Sequence, residues 1–278
     1  MKVYELYKKL LKDNGHPKEI WPQWCGVKMG EAERELVAVG AVLTQRTSWR
    51  NAEMALKNLR MAGLLSLPKI ADVELDRLTE LVRVAGFFNT KPRRLQELAR
   101  FVLEKYGSLE EMRKISMKPK RPVPRWQSQR GRQGGAIGPA LWLRDELLGI
   151  YGIGPETADT LLLYALDLPS FVIDEYTKRF VKKYGLFGSE RSPVVHQGEV
   201  EEGQGTKLGL KARSSGGTSP SIRQSADSGK KPRRLNDYEE LKNLFESSLS
   251  KNVEIYQNYH VLIIVDQKGR DGSLMEEV

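Results

Sequence analysis

The chain has 278 residues, 40% of them apolar and 29% charged, with a formal net charge of +9. No apolar run approaches the roughly 20 residues of a membrane-spanning helix, and the lone cysteine, Cys25, excludes a disulfide framework or a four-cysteine metal or iron–sulfur site within this chain. No metal, no cofactor and no membrane partner are therefore expected, and the location expected by default is intracellular and cytoplasmic. The basic balance points to an anionic partner.

In chain order, MKVYELYKKLLKDNG interleaves apolar and charged residues as an amphipathic helix does, unlike a secretory leader. Arg34 to Leu43 is an apolar run long enough for a buried helix. Trp49 to Met61 and Val73 to Ala85 show apolar spacing of three and four. Lys91 to Tyr106 is a longer amphipathic helix, with Pro92 suited to its first turn. Residues 116–140 then hold six Lys/Arg and no Asp/Glu. Helices are expected at Leu141 to Leu148, Pro155 to Leu166 and Glu175 to Tyr184. Residues 189–236 hold nine Lys/Arg against five Asp/Glu, in a Ser- and Gly-rich context. Asp237 to Leu249 and Val253 to Val265 close the pattern.

Strand-like alternation is nearly absent, so the expected fold is all-α. The two basic stretches cannot bury enough apolar surface to offset their ordering entropy, and read as disordered insertions, either linkers or electrostatic tethers to nucleic acid. They hold essentially the whole net charge; the rest of the chain is close to neutral.

The segment LLGIYGIGPETADTLLLYAL, Leu147 to Leu166, has the form of two helices joined by a glycine-pinched turn. Gly152 and Gly154 bracket Ile153, which can point into a core. Glycine tolerates positive φ and lets another backbone approach. Pro155 suits the first helical position, and Thr157 and Ala158 let the helices cross closely. Free N–H groups at such a turn suit a phosphate, although an ordinary tight helix connection would look alike. About twenty residues on, Asp174 follows the apolar triplet Phe171 to Ile173 and precedes an amphipathic helix, the position of an N-cap.

The pair GIGPETA and VIDEYTKR resembles the helix-hairpin-helix and Gly/Pro-Asp motif of the endonuclease III superfamily of DNA glycosylases. AVLTQRTSW (Ala41 to Trp49) and GFFNTKPRRLQELAR (Gly86 to Arg100) resemble two further segments of that family, in the same order. The likeness runs from about Glu19 to Lys114 and Leu143 to Gly188, and again from Asp237 to about Val265. It implies two helical domains. One covers 33–165, ends in the hairpin and carries the insertion at about 116–140. The other is built from 1–32 and 166–278, with the insertion at about 189–236.

The resemblance also implies roles. The backbone at Gly152, Ile153, Gly154, Glu156 and Thr157 would bind a phosphate of duplex DNA, positioning the protein without reading sequence. Asp174 would be the essential carboxylate acting on an extruded nucleotide. Gln45, with Arg46 as a second candidate, would fill the gap left in the duplex. Lys178 and Arg179 are phosphate contacts or, on the blander reading, solvated charges. Strand-cleaving members carry a nucleophilic lysine two residues after the second hairpin glycine. Here that position is Glu156, so a monofunctional glycosylase is expected.

EIWPQW and Trp49 look similar to the small bacterial 3-methyladenine glycosylases of the superfamily. Trp21 and Trp49 would then sandwich a cationic alkylated purine, with Pro22 and Trp24 in the wall; interdomain packing is the plain alternative for these rings. Lys268 only weakly matches a lysine that such enzymes place by the pocket, and His260 is expected to be packed rather than catalytic. A monomer acting on double-stranded DNA in the nucleoid is the resulting expectation. The alternatives are an endonuclease III-like lyase on oxidised pyrimidines and a DNA-binding protein whose catalytic site has decayed.

Overall fold

The computed structural model describes residues 2–20, 29–118, 139–186 and 237–268, which fall within one compact unit. Their regular elements are all helical. The first six helices are α1 (Val3–Asn14), α2 (Pro17–Ile20), α3 (Glu31–Leu43), α4 (Trp49–Met61), α5 (Leu67–Asp72) and α6 (Leu75–Val82), the last running into a 3₁₀ turn, Arg83–Ala85. There follow α7 (Lys91–Tyr106), α8 (Leu109–Met117), α9 (Pro139–Leu148) and α10 (Pro155–Thr160), continued by a π turn, Leu161–Ala165. The last are α11 (Glu175–Tyr184), α12 (Asp237–Ser248) and α13 (Val253–Lys268). The bulk of both basic stretches lies outside the described residues.

Two expectations change. The helices foreseen over Val73 to Ala85 and Pro155 to Leu166 are shorter, ending in the 3₁₀ and π turns, and beyond the single turn of α2 the helices α5 and α8 were not foreseen. Both are short, but α8 had a local signal: Ser108 is followed three residues later by Glu111, whose N–H its hydroxyl accepts at 3.1 Å.

Helix α3 is apolar on nearly every face, and Val37, Ala38, Val39, Val42 and Leu43 are all buried where it meets α4, α7, α8 and the π turn. Burial of each large side chain contributes about 1.5–3 kcal/mol. Two charged residues at its start are buried too. Arg34 donates to Glu110 and Asp167 and to the Ala165 carbonyl, while Glu35 accepts the Leu67 N–H at 2.9 Å. Elsewhere α13 packs on α1 and α11.

Lys91 is buried completely, and its ammonium donates at 2.7 Å to the carbonyls of Leu43 and Ala85. These carbonyls end α3 and the 3₁₀ turn, where a cation meets the negative end of the helix dipole. The chain then turns at Arg46 (φ 53°) and Phe87 (φ 48°), two of the three non-glycine residues with positive φ among those described. One buried cation thus anchors two strained turns. Burial, helped by Arg94, lowers its pKa to about 8.

Residues 167–174 have no regular structure, yet Leu168, Ser170, Phe171, Val172 and Ile173 are buried. Buried backbone groups need partners, and α12 supplies them from side chains. Glu246 accepts the Phe171 N–H (2.9 Å), Lys242 donates to the Phe171 carbonyl (3.1 Å), and the Tyr238 hydroxyl accepts the Ile173 N–H (3.4 Å). At the centre is Asp159 of α10, with no exposed surface. It receives Arg144 of α9 bidentately (2.8 and 3.0 Å), Tyr238 (2.7 Å) and Ser170, and lies 3.1 Å from the Lys242 ammonium.

Removing one member of a buried ionic cluster leaves the others uncompensated, so Asp159→Asn should cost about 3–5 kcal/mol in urea denaturation. Lys91 gives a second prediction. Between about pH 8 and 10.5 the unfolded chain holds the proton that folded Lys91 has released, so this residue's contribution to stability rises with pH across that window. The gain, on the order of 2–3 kcal/mol, should be present in the wild type and missing from Lys91→Met when the two are compared by urea denaturation at each pH.

Candidate active site and DNA-binding hairpin

The connection between α9 and α10 is the glycine-pinched turn. Ile153 is 4% exposed and anchors it in the core. The two flanking glycines differ. Gly152 has φ +78°, and a Cβ there would collide with the Arg94 side chain. Arg94 could swing aside, but the left-handed backbone would still disfavour a side chain. Gly154 caps α10 with an ordinary φ of −92°, and a Cβ there would meet nothing within 4 Å. Nothing inside the protein therefore requires glycine at 154. Among the described residues, no acceptor takes the N–H of Gly152 or Gly154. Pro155 occupies the first turn of α10, where its missing N–H costs nothing.

Gln45 ties the α3–α4 connection to this turn. Its amide donates to the Gly152 carbonyl (3.1 Å) and the Thr157 hydroxyl (2.9 Å), and its carbonyl receives Arg94. Arg46 beside it is exposed. Arg93 lies over the exposed Tyr151 ring, 4.8 Å from its centroid. Arg93, Arg94 and Tyr151 were not singled out from the sequence, since only the folded chain brings α7 against the turn.

A cavity of about 630 Å³ opens between the α3–α4 connection and the start of α11. Thr44, Arg46 and Trp49 line one part; Glu156, Asp174 and His260 line another, with Arg179 and Lys268 at the same cavity. Residues 45, 49, 156 and 174, separated widely in sequence, are thus brought to one hairpin and one cavity. Trp21 and Pro22, with Trp24 and Cys25, lie outside the described residues. Lys178 pairs with Glu175 on α11, as a solvated charge would. Arg179 and Lys268 each sit 5.2 Å from the Tyr176 ring centroid.

Asp174 is both N-cap and cavity residue. Its Oδ1 accepts the Thr177 N–H (2.7 Å) and the Thr177 hydroxyl (2.9 Å). Its Oδ2 lies 3.4 Å from Nε2 of His260, with the carboxylate side chain 15% exposed. That approach is an ion-pair distance without hydrogen-bond alignment. Burial pulls the Asp174 pKa upward, but the His260 ring and the two Thr177 donors outweigh it and hold the group below the ordinary carboxylate value.

Glu156 is shifted the other way. It is exposed to solvent and lines the cavity with Asp174. Desolvation raises its pKa, and the Asp174 charge raises it further, against smaller opposing effects of Lys178 and His260. Two neighbouring carboxyls pushed apart in this way suit different protonation roles.

His260 is packed, as the sequence suggested, at 7% exposure, but it also faces Asp174. No sequence signal marked that contact, because the two residues stand on separate elements and meet only on folding. Among the described residues no group of three or more His, Cys, Asp or Glu side chains could hold a metal ion, and no helix is long and apolar enough to cross a membrane.

Residues 39–202 match the family model described as "HhH-GPD superfamily base excision DNA repair protein". A Methanocaldococcus jannaschii protein named "Putative DNA repair glycosylase MJ1434" is 37% identical over 94% of this chain and 85% of its own length. The endonuclease III of Thermotoga maritima is 25% identical over 54% of this chain and 55% of its own. Among solved structures, the H. pylori 3-methyladenine DNA glycosylase MagIII bound to 1,N6-ethenoadenine shares the fold, with a TM-score of 0.58 at 23% identity and full coverage of both chains. A trapped endonuclease III–DNA covalent intermediate superposes with a TM-score of 0.52 at 16% identity, over 95% of this chain and 86% of its own. With a family match over more than half the chain and a near full-length relative, this protein belongs to the HhH-GPD superfamily of base excision DNA repair proteins.

Proposed function

We propose that this protein is a monofunctional DNA glycosylase that extrudes an alkylated purine, of the 3-methyladenine type, from duplex DNA and hydrolyses its glycosidic bond. The observation that carries the reading is Asp174: a carboxylate held ionised, with one oxygen fixed by Thr177 and the other turned toward a cavity that also contains Trp49. As the base departs, its negative charge would stabilise the oxocarbenium-like sugar and orient a water for attack. A cationic base is a good leaving group and needs little acid assistance. The Trp49 ring, with Trp21 and Pro22 as proposed partners, suits such a base by stacking and cation–π attraction.

The hairpin would grip a backbone phosphate through the N–H groups around Gly152 and Gly154, with Ile153 as the buried anchor and Glu156 and Thr157 at the helix start. Gln45 and Arg46 are the proposed gap-filling residues. Because Gln45 is bonded to the hairpin, its insertion into DNA would require release of those bonds. Glu156 stands where a Schiff-base lysine would be needed, which favours hydrolysis without strand cleavage. The endonuclease III relatives favour the contrary reading, a lyase. We further propose a cofactor-free, intracellular, nucleoid-associated monomer in two helical domains, 33–165 and 1–32 with 166–278.

Release of bases from methylated duplex DNA should be measurable with the wild type and should fall by about 100-fold or more in Asp174→Asn. No methylpurine release by the wild type would reject the substrate, equal release by both proteins would reject the mechanism, and a borohydride-trapped covalent adduct would reject the monofunctional assignment. The glycines give a separate test. Gly154→Ala should unfold within about 0.5 kcal/mol of the wild type yet bind duplex about tenfold more weakly, because the added Cβ would hold a phosphate away from the N–H groups and weaken a charge-assisted hydrogen bond. Full affinity in Gly154→Ala would remove the hairpin from the interface.

A further inference from the structure

The π turn at Leu161–Ala165 has one consequence at the cavity. The Leu166 N–H reaches back five residues to the Leu161 carbonyl (3.0 Å), widening the helix where Tyr164 is carried. Such turns recur at functional sites. Tyr164 lines the cavity, and its hydroxyl lies 2.8 Å from Nδ1 of His260 on α13, in a buried contact. The other ring nitrogen, Nε2, faces Oδ2 of Asp174 at 3.4 Å and has no hydrogen-bond partner in this state. The order Tyr164, His260, Asp174 thus runs across three elements distant in sequence and ends on the carboxylate oxygen that Thr177 leaves open.

Resting on the glycosylase reading above, we propose that His260 is a positioning residue for Asp174. Tyr164 hydrogen-bonds Nδ1, and in the tautomer in which its hydroxyl is the donor the ring carries a hydrogen on Nε2, on the side of Oδ2. Oδ1 is held by the helix cap and Oδ2 faces the imidazole, so the carboxylate has a partner on each oxygen. A small closure, from 3.4 Å to an aligned bond, would fit a site that tightens on its substrate. The charged and titratable groups facing this ring are Asp174 from the start of α11, Glu156 from α10 and Tyr164 from the π turn. Lys268, two turns further along α13, lines the same cavity, as do Arg46, Glu175 and Arg179. The ring also helps to hold Asp174 below its ordinary pKa.

The test is single-turnover base release from methylated duplex DNA across pH, with full-length wild type, His260→Ala, His260→Gln, Tyr164→Phe and Asp174→Asn, alongside ¹³C NMR titration of the Asp174 carboxyl without DNA. His260→Ala should lower the rate at saturating enzyme by about tenfold, leave the half-saturating concentration within about twofold, and move the acid limb and the carboxyl titration to higher pH by about one unit. His260→Gln, which can keep an N–H near Oδ2, should restore most of the rate and the acid limb. Tyr164→Phe should fall between His260→Ala and the wild type.

An unchanged rate, acid limb and carboxyl titration in His260→Ala would overturn the positioning role while Asp174→Asn remained inactive. Full activity in Asp174→Asn would instead overturn the reading on which it rests, and the role with it. Loss of thermal stability in His260→Ala with no movement of the carboxyl titration would mark the histidine as packing alone and also overturn the proposal.

Discussion

The position of Asp174 depends on the charge cluster around Asp159. The eight residues before α11 run through the interior without helix or sheet, so their backbone groups have no regular partners. Tyr238, Lys242 and Glu246 of α12 take their place, and Asp159 holds Tyr238 and Lys242 against Arg144 and Ser170. Such a cluster is a weak source of net stability compared with well-packed apolar side chains, but losing one member is costly. Its value here is geometric. It joins α9, α10 and α12 to the irregular segment and so fixes the carboxylate relative to the hairpin.

A second chain of contacts connects the hairpin to the proposed gap-filling loop. Lys91 closes the end of α3, and two residues later Gln45 bonds to the Gly152 carbonyl, the Thr157 hydroxyl and Arg94. The hairpin, the α3–α4 connection and the cavity wall are therefore one connected arrangement. Thr157, one of the partners of Gln45, adjoins Glu156, which lines the cavity. The opposed shifts of Glu156 and Asp174 follow from the same geometry: Asp174 has donors on its cap side and a histidine on the other, whereas Glu156 is partly desolvated beside a neighbouring negative charge.

Much of the fold was legible in the residues. Trp49–Met61, Lys91–Tyr106 and Glu175–Tyr184 follow the apolar spacing from end to end, because each lays one continuous stripe on the core. The Val73 to Ala85 pattern misled at its ends, since apolar spacing does not distinguish a continuous helix from a shorter one closed by a 3₁₀ turn. The hairpin glycines and Asp174 could be read because their local conformations, a left-handed turn and an N-cap, demand particular residue types. Glycine at 154 is different: its own backbone is ordinary, and no contact among the described residues requires it.

Local chemistry alone therefore determined an all-helical chain, a tight glycine-pinched hairpin and an acidic cap about twenty residues on, while the family resemblance added the meaning of the glutamate at 156. Only the tertiary structure decided what surrounds them. Lys91 as a buried cap of two helix ends, Asp159 as the centre of a charge cluster, and His260 facing Asp174 with Tyr164 behind it leave no periodic or spacing signal. Their partners lie on other elements, and their electrostatics arise from burial that a linear sequence does not display.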